Sequence, residues 1–284
     1  MTLLDLAYAV QVLFMVGFPI VLVLFLRWRW GLRWKLFWVG CLTFIVSQIV
    51  HIPMLIVEKL GLELLLTQLG IPVATAASVF WVVALDAVLL GLMAAICEEP
   101  ARWLGYWLLL RKDRRWRESL MFGAGHGGIE SILLGLLVVV NLVTIAWLAN
   151  TDLASLGITG MTEVQVRQQI EGIVAAPLYV PFLGASERLW AICIHLSATV
   201  LVWRAITTRR WRYFLAAIGW HWLVDSGVVL VLAVTNSNLF VTEAVVWVCG
   251  LLSLGFVWWS RRWAKEETPP DAGAVPEALE PSAA

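Results

Sequence analysis

What most limits the folds open to this chain is the recurrence of apolar runs roughly 18 or more residues long. Each is long enough, as a helix rising ~1.5 Å per residue, to cross a hydrocarbon core of ~30 Å. Spans are expected near 5–26, 36–57, 73–97 (running on toward 110), 119–149, 186–204, 213–234 and 239–260. The composition agrees: 61% of the 284 residues are hydrophobic and 14% are charged, far from the balance of a soluble domain. The expected fold is an all-α, polytopic bundle of about seven transmembrane helices. The expected location is a multi-pass position in a bacterial plasma membrane.

A net charge of zero hides a strong asymmetry. Of the 20 Lys and Arg residues, sixteen fall in four segments, 27–35, 111–117, 204–212 and 261–265. The alternate loops hold only Lys59 and Arg167, and Arg102 and Arg188 lie inside or beside spans. The positive-inside rule then puts the amino terminus outside and the carboxyl terminus in the cytoplasm. Trp28, Trp30, Trp34, Trp116, Trp211 and Trp263 flank the basic segments, as an interfacial aromatic belt does. The first span has no basic leader or small-residue cleavage site and is expected to be retained. The four cysteines form no C-x-x-C pair, which argues against a disulfide framework or a thiolate zinc site. Residues 1–264 form the expected membrane domain, and the Pro- and Ala-rich acidic stretch 265–284 an expected disordered tail. A short surface helix is expected around TEVQVRQQIEGIV in the loop 150–184. No basic patch outside the juxtamembrane loops points to nucleic acid.

The stretch FGAGHGGIE, 122–130, contains the spacing G-x-G-x-x-G. A dinucleotide turn needs a strand before it and an acidic residue ~20 positions after it. Here a charged loop precedes the glycines and an apolar span follows, so that reading fails. Small residues at Gly123, Gly127 and Gly135 instead suit close helix packing. They do not account for His126 and Glu130, which cost about 2.5 kcal/mol or more near a helix centre unless partnered.

All four histidines fall in spans. Counted from the basic loops at ~1.5 Å per residue, His126, His195 and His221 lie ~13 Å deep. Glu98, Glu99, Glu130 and Asp225 come out at ~18 Å. Four spans thus carry ionisable groups at one layer in the cytoplasmic half. His51 falls in the other half, beside Pro53, and is assigned to packing. His126 and Glu130 share a helix face at i, i+4, as do His221 and Asp225, and Glu98 and Arg102. That spacing pairs Arg102 with Glu98 and leaves Glu99 as the better base. Pro100 removes a backbone donor in the middle of this layer. His126, His195, His221, Glu130 and Asp225 form a candidate ligand set for Zn²⁺, with a neighbouring glutamate free to act as general base. The same layer could serve as a proton or ion relay, though a relay needs a path to both faces.

The order Glu98-Glu99-Pro-Ala-Arg102, Phe122-x-x-x-His126, His195, His221-x-x-x-Asp225 resembles the CAAX-protease and bacteriocin-processing superfamily of intramembrane proteases. More narrowly, FGAGHGGIES, with EEPARW before it and ERLWAICIH after it, resembles the YhfC family of intramembrane metalloproteases. The resemblance implies that Glu98 or Glu99 activates water and that His126 and His195 hold a metal or the oxyanion. Arg102 steadies the glutamates, and His221 and Asp225 complete the site. It further implies a membrane-embedded or lipid-anchored peptide substrate. The superfamily usually spaces its arginine as E-E-x-x-x-R, whereas this chain has E-E-x-x-R. Two other functions fit a buried polar layer, an ion- or proton-coupled transporter and a non-catalytic scaffold.

Overall fold

A computed structural model describes residues 2–72, 75 and 79–266; the tail 267–284 and the expected start of the third span lie outside the described residues. The described regular structure is entirely helical. It comprises α1 (Leu3–Trp30), α2 (Trp34–Gln68), α3 (Phe80–Leu108), α4 (Trp116–Ala149), α5 (Gly160–Val174), α6 (Tyr179–Thr208), α7 (Trp211–Val234) and α8 (Leu239–Ser260). Single 3₁₀ turns follow α4 and α8, at Leu153–Leu156 and Arg261–Glu266. Seven of these helices, all but α5, are long and apolar enough to cross a membrane. Helices satisfy their own backbone donors and acceptors, as a bilayer core requires. The chain is a multi-pass integral membrane protein.

The helices overrun the expected spans by a few residues at most ends, because hydropathy registers only the hydrocarbon core whereas caps set the true ends. Thr2 and Asp5 close a capping box at the start of α1, and Gly31 ends it in the left-handed region at φ 65°. The polar helix α5 covers the segment TEVQVRQQIEGIV and is braced by Arg167 on Glu163 at 2.8 Å, four residues apart.

In the bundle, α4 is central and packs on α1, α2 and α6, while α3 packs on α7 and α6 on α8. The glycines of FGAGHGGIE make this possible by facing different neighbours in turn. A Cβ on Gly125 would run into the Phe37 carbonyl of α2, and one on Gly40 of α2 into the Phe122 carbonyl of α4. Across the other face, a Cβ on Gly127 would lie 2.8 Å from the His195 ring, and one on Gly123 3.0 Å from Thr199. The backbone of α4 therefore sits against both partners at distances only glycine permits.

One end of the bundle gathers the basic segments. Asp113 is buried and pairs with Arg33 and, at 3.6 Å, with Lys35. The Trp203 indole donates to the Arg114 carbonyl at 2.7 Å, and Arg204 stacks on Trp263 and Arg117 on Trp30. Beneath this rim lies the largest apolar core, built from Leu36, Tyr106, Leu110, Met121, Phe122 and Trp203, each 1% exposed or less.

Candidate active site and metal centre

The site begins with little more than one turn of α3, residues 98–102. Glu98, Glu99 and Arg102 are all buried, Arg102 and Glu99 completely. An arginine three and four residues past two glutamates lies on their side of the helix. Arg102 reaches both: Nη1 is bonded to Glu99 Oε1, and Nη2 lies 3.3 Å from Glu98 Oε2. The same Nη2 donates to His195 Nδ1 at 2.6 Å.

Each histidine is then fixed by a partner on another helix. His126 meets Glu98 through Nε2 at 3.1 Å and Thr43 of α2 through Nδ1 at 3.0 Å. The Thr43 hydroxyl donates its one hydrogen to the Gly40 carbonyl at 2.8 Å, so it accepts from His126 Nδ1–H. This tautomer leaves the Nε2 lone pair facing Glu98. His195 is set in the opposite sense, because Arg102 can only donate to its Nδ1. Its Nε2–H therefore goes to Glu130 Oε2, at 2.6 Å. Glu130 is held in turn by Arg188 at 3.0 Å, and Arg188 also pairs with Glu187. His221 has a carboxylate at each nitrogen: Glu99 Oε1 lies 2.8 Å from Nδ1, and Asp225 Oδ2 3.3 Å from Nε2.

Glu98 Oε2 is the focus of the arrangement. It stands 3.1 Å from His126 Nε2, 3.9 Å from His195 Nδ1 and 4.0 Å from His221 Nε2. Among the described residues, Glu98, His126 and His195 form a group that could hold a metal ion, with their ligand atoms all within 4.8 Å of one another. The donor chemistry fits a metal. Two lone pairs, on His126 Nε2 and on a carboxylate oxygen, face each other across 3.1 Å, and such a contact needs a proton or a cation between them. His195 Nδ1 lies 3.9 Å from the same oxygen, but its lone pair accepts from Arg102, so it would ligate only on release of that bond. Both imidazoles carry the outer partner expected of a ligating histidine, Thr43 for one and Glu130 for the other.

The family assignment follows from most of the chain. The YhfC intramembrane metalloprotease family profile matches residues 13–246. The chain belongs to the YhfC family. Among its relatives is the uncharacterized membrane protein YhfC of Bacillus subtilis (strain 168), 28% identical over 245 residues that cover 84% of this chain and 89% of the relative. No solved structure matches the chain. For a family described as intramembrane metalloproteases, a buried Glu–His–His group inside a membrane bundle is the expected kind of centre.

Set against the sequence expectations, the structure draws Glu98, Glu99, Arg102, His126, His195, His221, Glu130 and Asp225 into one contact network. It places them differently within it. Glu130 and Asp225 stand outside the Glu98–His126–His195 group, each on a histidine, and Glu130 steadies His195 of α6 rather than His126 of its own helix. The two carboxylates that flank His221 leave its ring without a lone pair to offer a cation when both nitrogens donate. Arg102 serves both glutamates, and Glu98, not Glu99, lines the adjoining cavity. Three participants went unnoticed in the sequence: Thr43, His51 as a cavity-lining group, and Arg188 as the brace of Glu130. A signal for the first two was present, since Thr43, Ser47 and His51 form a polar stripe at intervals of four in an apolar span.

Proposed function

We propose that this YhfC protein is an intramembrane peptide hydrolase and that Glu98 is its reacting carboxylate. The observation that carries the reading is the setting of Glu98: it meets His126 and Arg102 and lines a cavity of about 330 Å³ within the bundle. Its described hydrogen bonds and ion pairs all fall on Oε2, which leaves Oε1 to take a proton from water. Arg102 pairs with the carboxylate in a poorly solvated place. His126, His195 and Glu98 Oε2 would hold a divalent ion. Bound there, such as Zn²⁺, it supplies Lewis-acid charge for the attack on a peptide carbonyl.

The remaining residues orient and transfer. Thr43 and Glu130 fix the tautomers of His126 and His195, so His126 presents Nε2 to Glu98 directly and His195 presents Nδ1 once Arg102 releases it. The His221–Asp225 pair faces the same cavity, and a substrate that displaces Asp225 from Nε2 would find there a donor for its oxygen or departing amine. The test is a comparison of membrane-proteome cleavage products in cells expressing wild type, Glu98→Gln, His126→Ala or His195→Ala. Removal of a general base costs ~10²–10⁴-fold, so cleavage products should vanish while helical content stays the same. Wild-type processing by all three variants would end the proposal.

A further inference from the structure

The site lies nearer the basic end of the bundle, and the sequence alone suggested an opening on that side. The cavity runs the other way. Every residue that lines it stands ten or more positions from the basic end of its own helix. Glu98 and His221 are the nearest, at ~15 Å, and Leu55, Leu90, Val229 and Glu187 lie farther out toward the opposite end. On the basic side, Tyr106, Phe122, Met121 and Trp203 fill the interior at 1% exposure or less. Tyr106 and Phe122 meet edge to face at 4.8 Å directly below His126 in sequence. Among the described residues this close-packed aromatic interior leaves no room for an aqueous path between α3, α4 and α6. The mostly apolar cavity of about 300 Å³ on this side, lined by Leu201, Ala216 and Phe256, shares no described residue with the chamber.

Two further cavities continue away from the site. One of about 570 Å³ between α1, α4 and α6 shares Glu187 and Arg188 with the first. Another of about 220 Å³ shares Glu187 and reaches Tyr8, Val180 and Leu239, which lie within the first turns of α1, α6 and α8. Those turns form the end opposite the basic loops. The path is polar where it narrows. Gln11 and Glu243 line it, each 8% exposed, and Gln11 Oε1 and Glu243 Oε2 have no protein partner. His51 Nε2, in the wall of the first cavity, is in the same position. Buried acceptors aimed into a polar cavity are where water binds.

We infer that the reaction chamber opens on the membrane face away from the basic loops. Its substrates are therefore peptide segments whose scissile bond is presented from that face. By the positive-inside rule this is the extracytoplasmic side, which excludes peptides confined to the cytoplasm. The Arg188–Glu130–Glu187 cluster stands where the chamber meets the outer cavities, so water and substrate pass beside it. The substrate class rests on the site being hydrolytic; the direction of opening does not.

The test is thiol labelling from each side of the membrane with a charged, membrane-impermeant methanethiosulfonate. Val229→Cys on α7 and Leu55→Cys on α2 report the chamber, and either one suffices if the other fails to fold. Lys112→Cys marks the basic face and Ser155→Cys the opposite one, with unsubstituted protein as the blank for its own four cysteines. Chamber cysteines should be labelled in the preparation that labels Ser155→Cys and stay unlabelled in the one that labels Lys112→Cys. Labelling from the basic face, from both faces or from neither would overturn the inference. The labelling is repeated in a Glu98→Gln background, where loss of proteolysis leaves the access result readable. A failed hydrolase reading and a failed opening are thus told apart.

Discussion

Gly127→Ala places one methyl group between the central helix and a histidine of the site. The added Cβ would lie 2.8, 2.9 and 3.0 Å from His195 Cδ2, Cβ and Cγ. Carbon atoms settle at ~3.5–4.0 Å, so α4 and α6 must separate, or the ring must move, by roughly 0.6–1 Å. The ring cannot swing freely, because Arg102 holds Nδ1 and Glu130 holds Nε2, both at 2.6 Å. Nor can the helices slide, since Gly123 meets Thr199 one turn away with the same lack of space. Overpacking of this kind costs about 1–3 kcal/mol. Displacing a reacting group by ~1 Å costs on the order of 10²-fold in rate. Thermal unfolding in detergent should therefore show a lower midpoint, and cleavage should fall about a hundredfold. Gly255→Ala is the control: a Cβ there meets nothing within 4 Å, and alanine improves helix propensity by up to ~1 kcal/mol. If Gly127→Ala melts and cleaves like wild type, the argument that glycine sets the α4–α6 distance is wrong.

Two further outcomes follow from named contacts. Glu130→Gln keeps an acceptor near His195 but removes the charge and loosens Arg188. Metal retention, read as metal content after dialysis against graded chelator, should fall ~10–100-fold, and an unchanged content would remove Glu130 from the centre. Trp203→Phe leaves the Arg114 carbonyl without its indole donor, a loss of about 1–3 kcal/mol read by thermal unfolding; an unchanged midpoint would show that the bond is not formed.

The membrane bundle was legible in the sequence because its signal is local. Apolar run length, basic-loop asymmetry and the glycines of FGAGHGGIE each act within one or two helices, and their elements appear where expected. The ionisable layer was legible for a related reason: a constant rise per residue turns sequence distance into depth. Azimuth was not, since it depends on how whole helices rotate against their neighbours. Glu130 illustrates this. Spacing of i, i+4 allied it with His126, but the close α4–α6 approach at Gly127 turns it onto His195 instead. Thr43 was passed over because a hydroxyl in a span is inexpensive and unremarkable by itself; only the position of α2 against Gly125 brings it to His126. The direction of the cavity could not be read at all, because it is set by which residues are packed tightly rather than by where charged ones fall.

The adjacency of Glu98 and Glu99 shows how the centre can exist in a low-dielectric interior. Neighbouring residues on a helix point ~100° apart, so one glutamate faces the chamber while the other is turned into the protein. Arg102 alone cannot neutralise both. The connected network holds five carboxylates, Glu98, Glu99, Glu130, Glu187 and Asp225, against two arginines, Arg102 and Arg188. His221, with a carboxylate at each nitrogen, supplies one more positive charge as an imidazolium. Two negative charges then remain, and Glu187 and Asp225, whose side chains are 38% and 39% exposed, can keep theirs in contact with water. The buried members, Glu98, Glu99 and Glu130 against Arg102, Arg188 and an imidazolium at His221, therefore balance. His126 cannot take up a proton at Nε2 without giving up the lone pair that faces Glu98, and the Nδ1 lone pair of His195 is held by Arg102. The case for a metal rests on the contact of His126 Nε2 with Glu98, which needs a proton or a cation between its lone pairs.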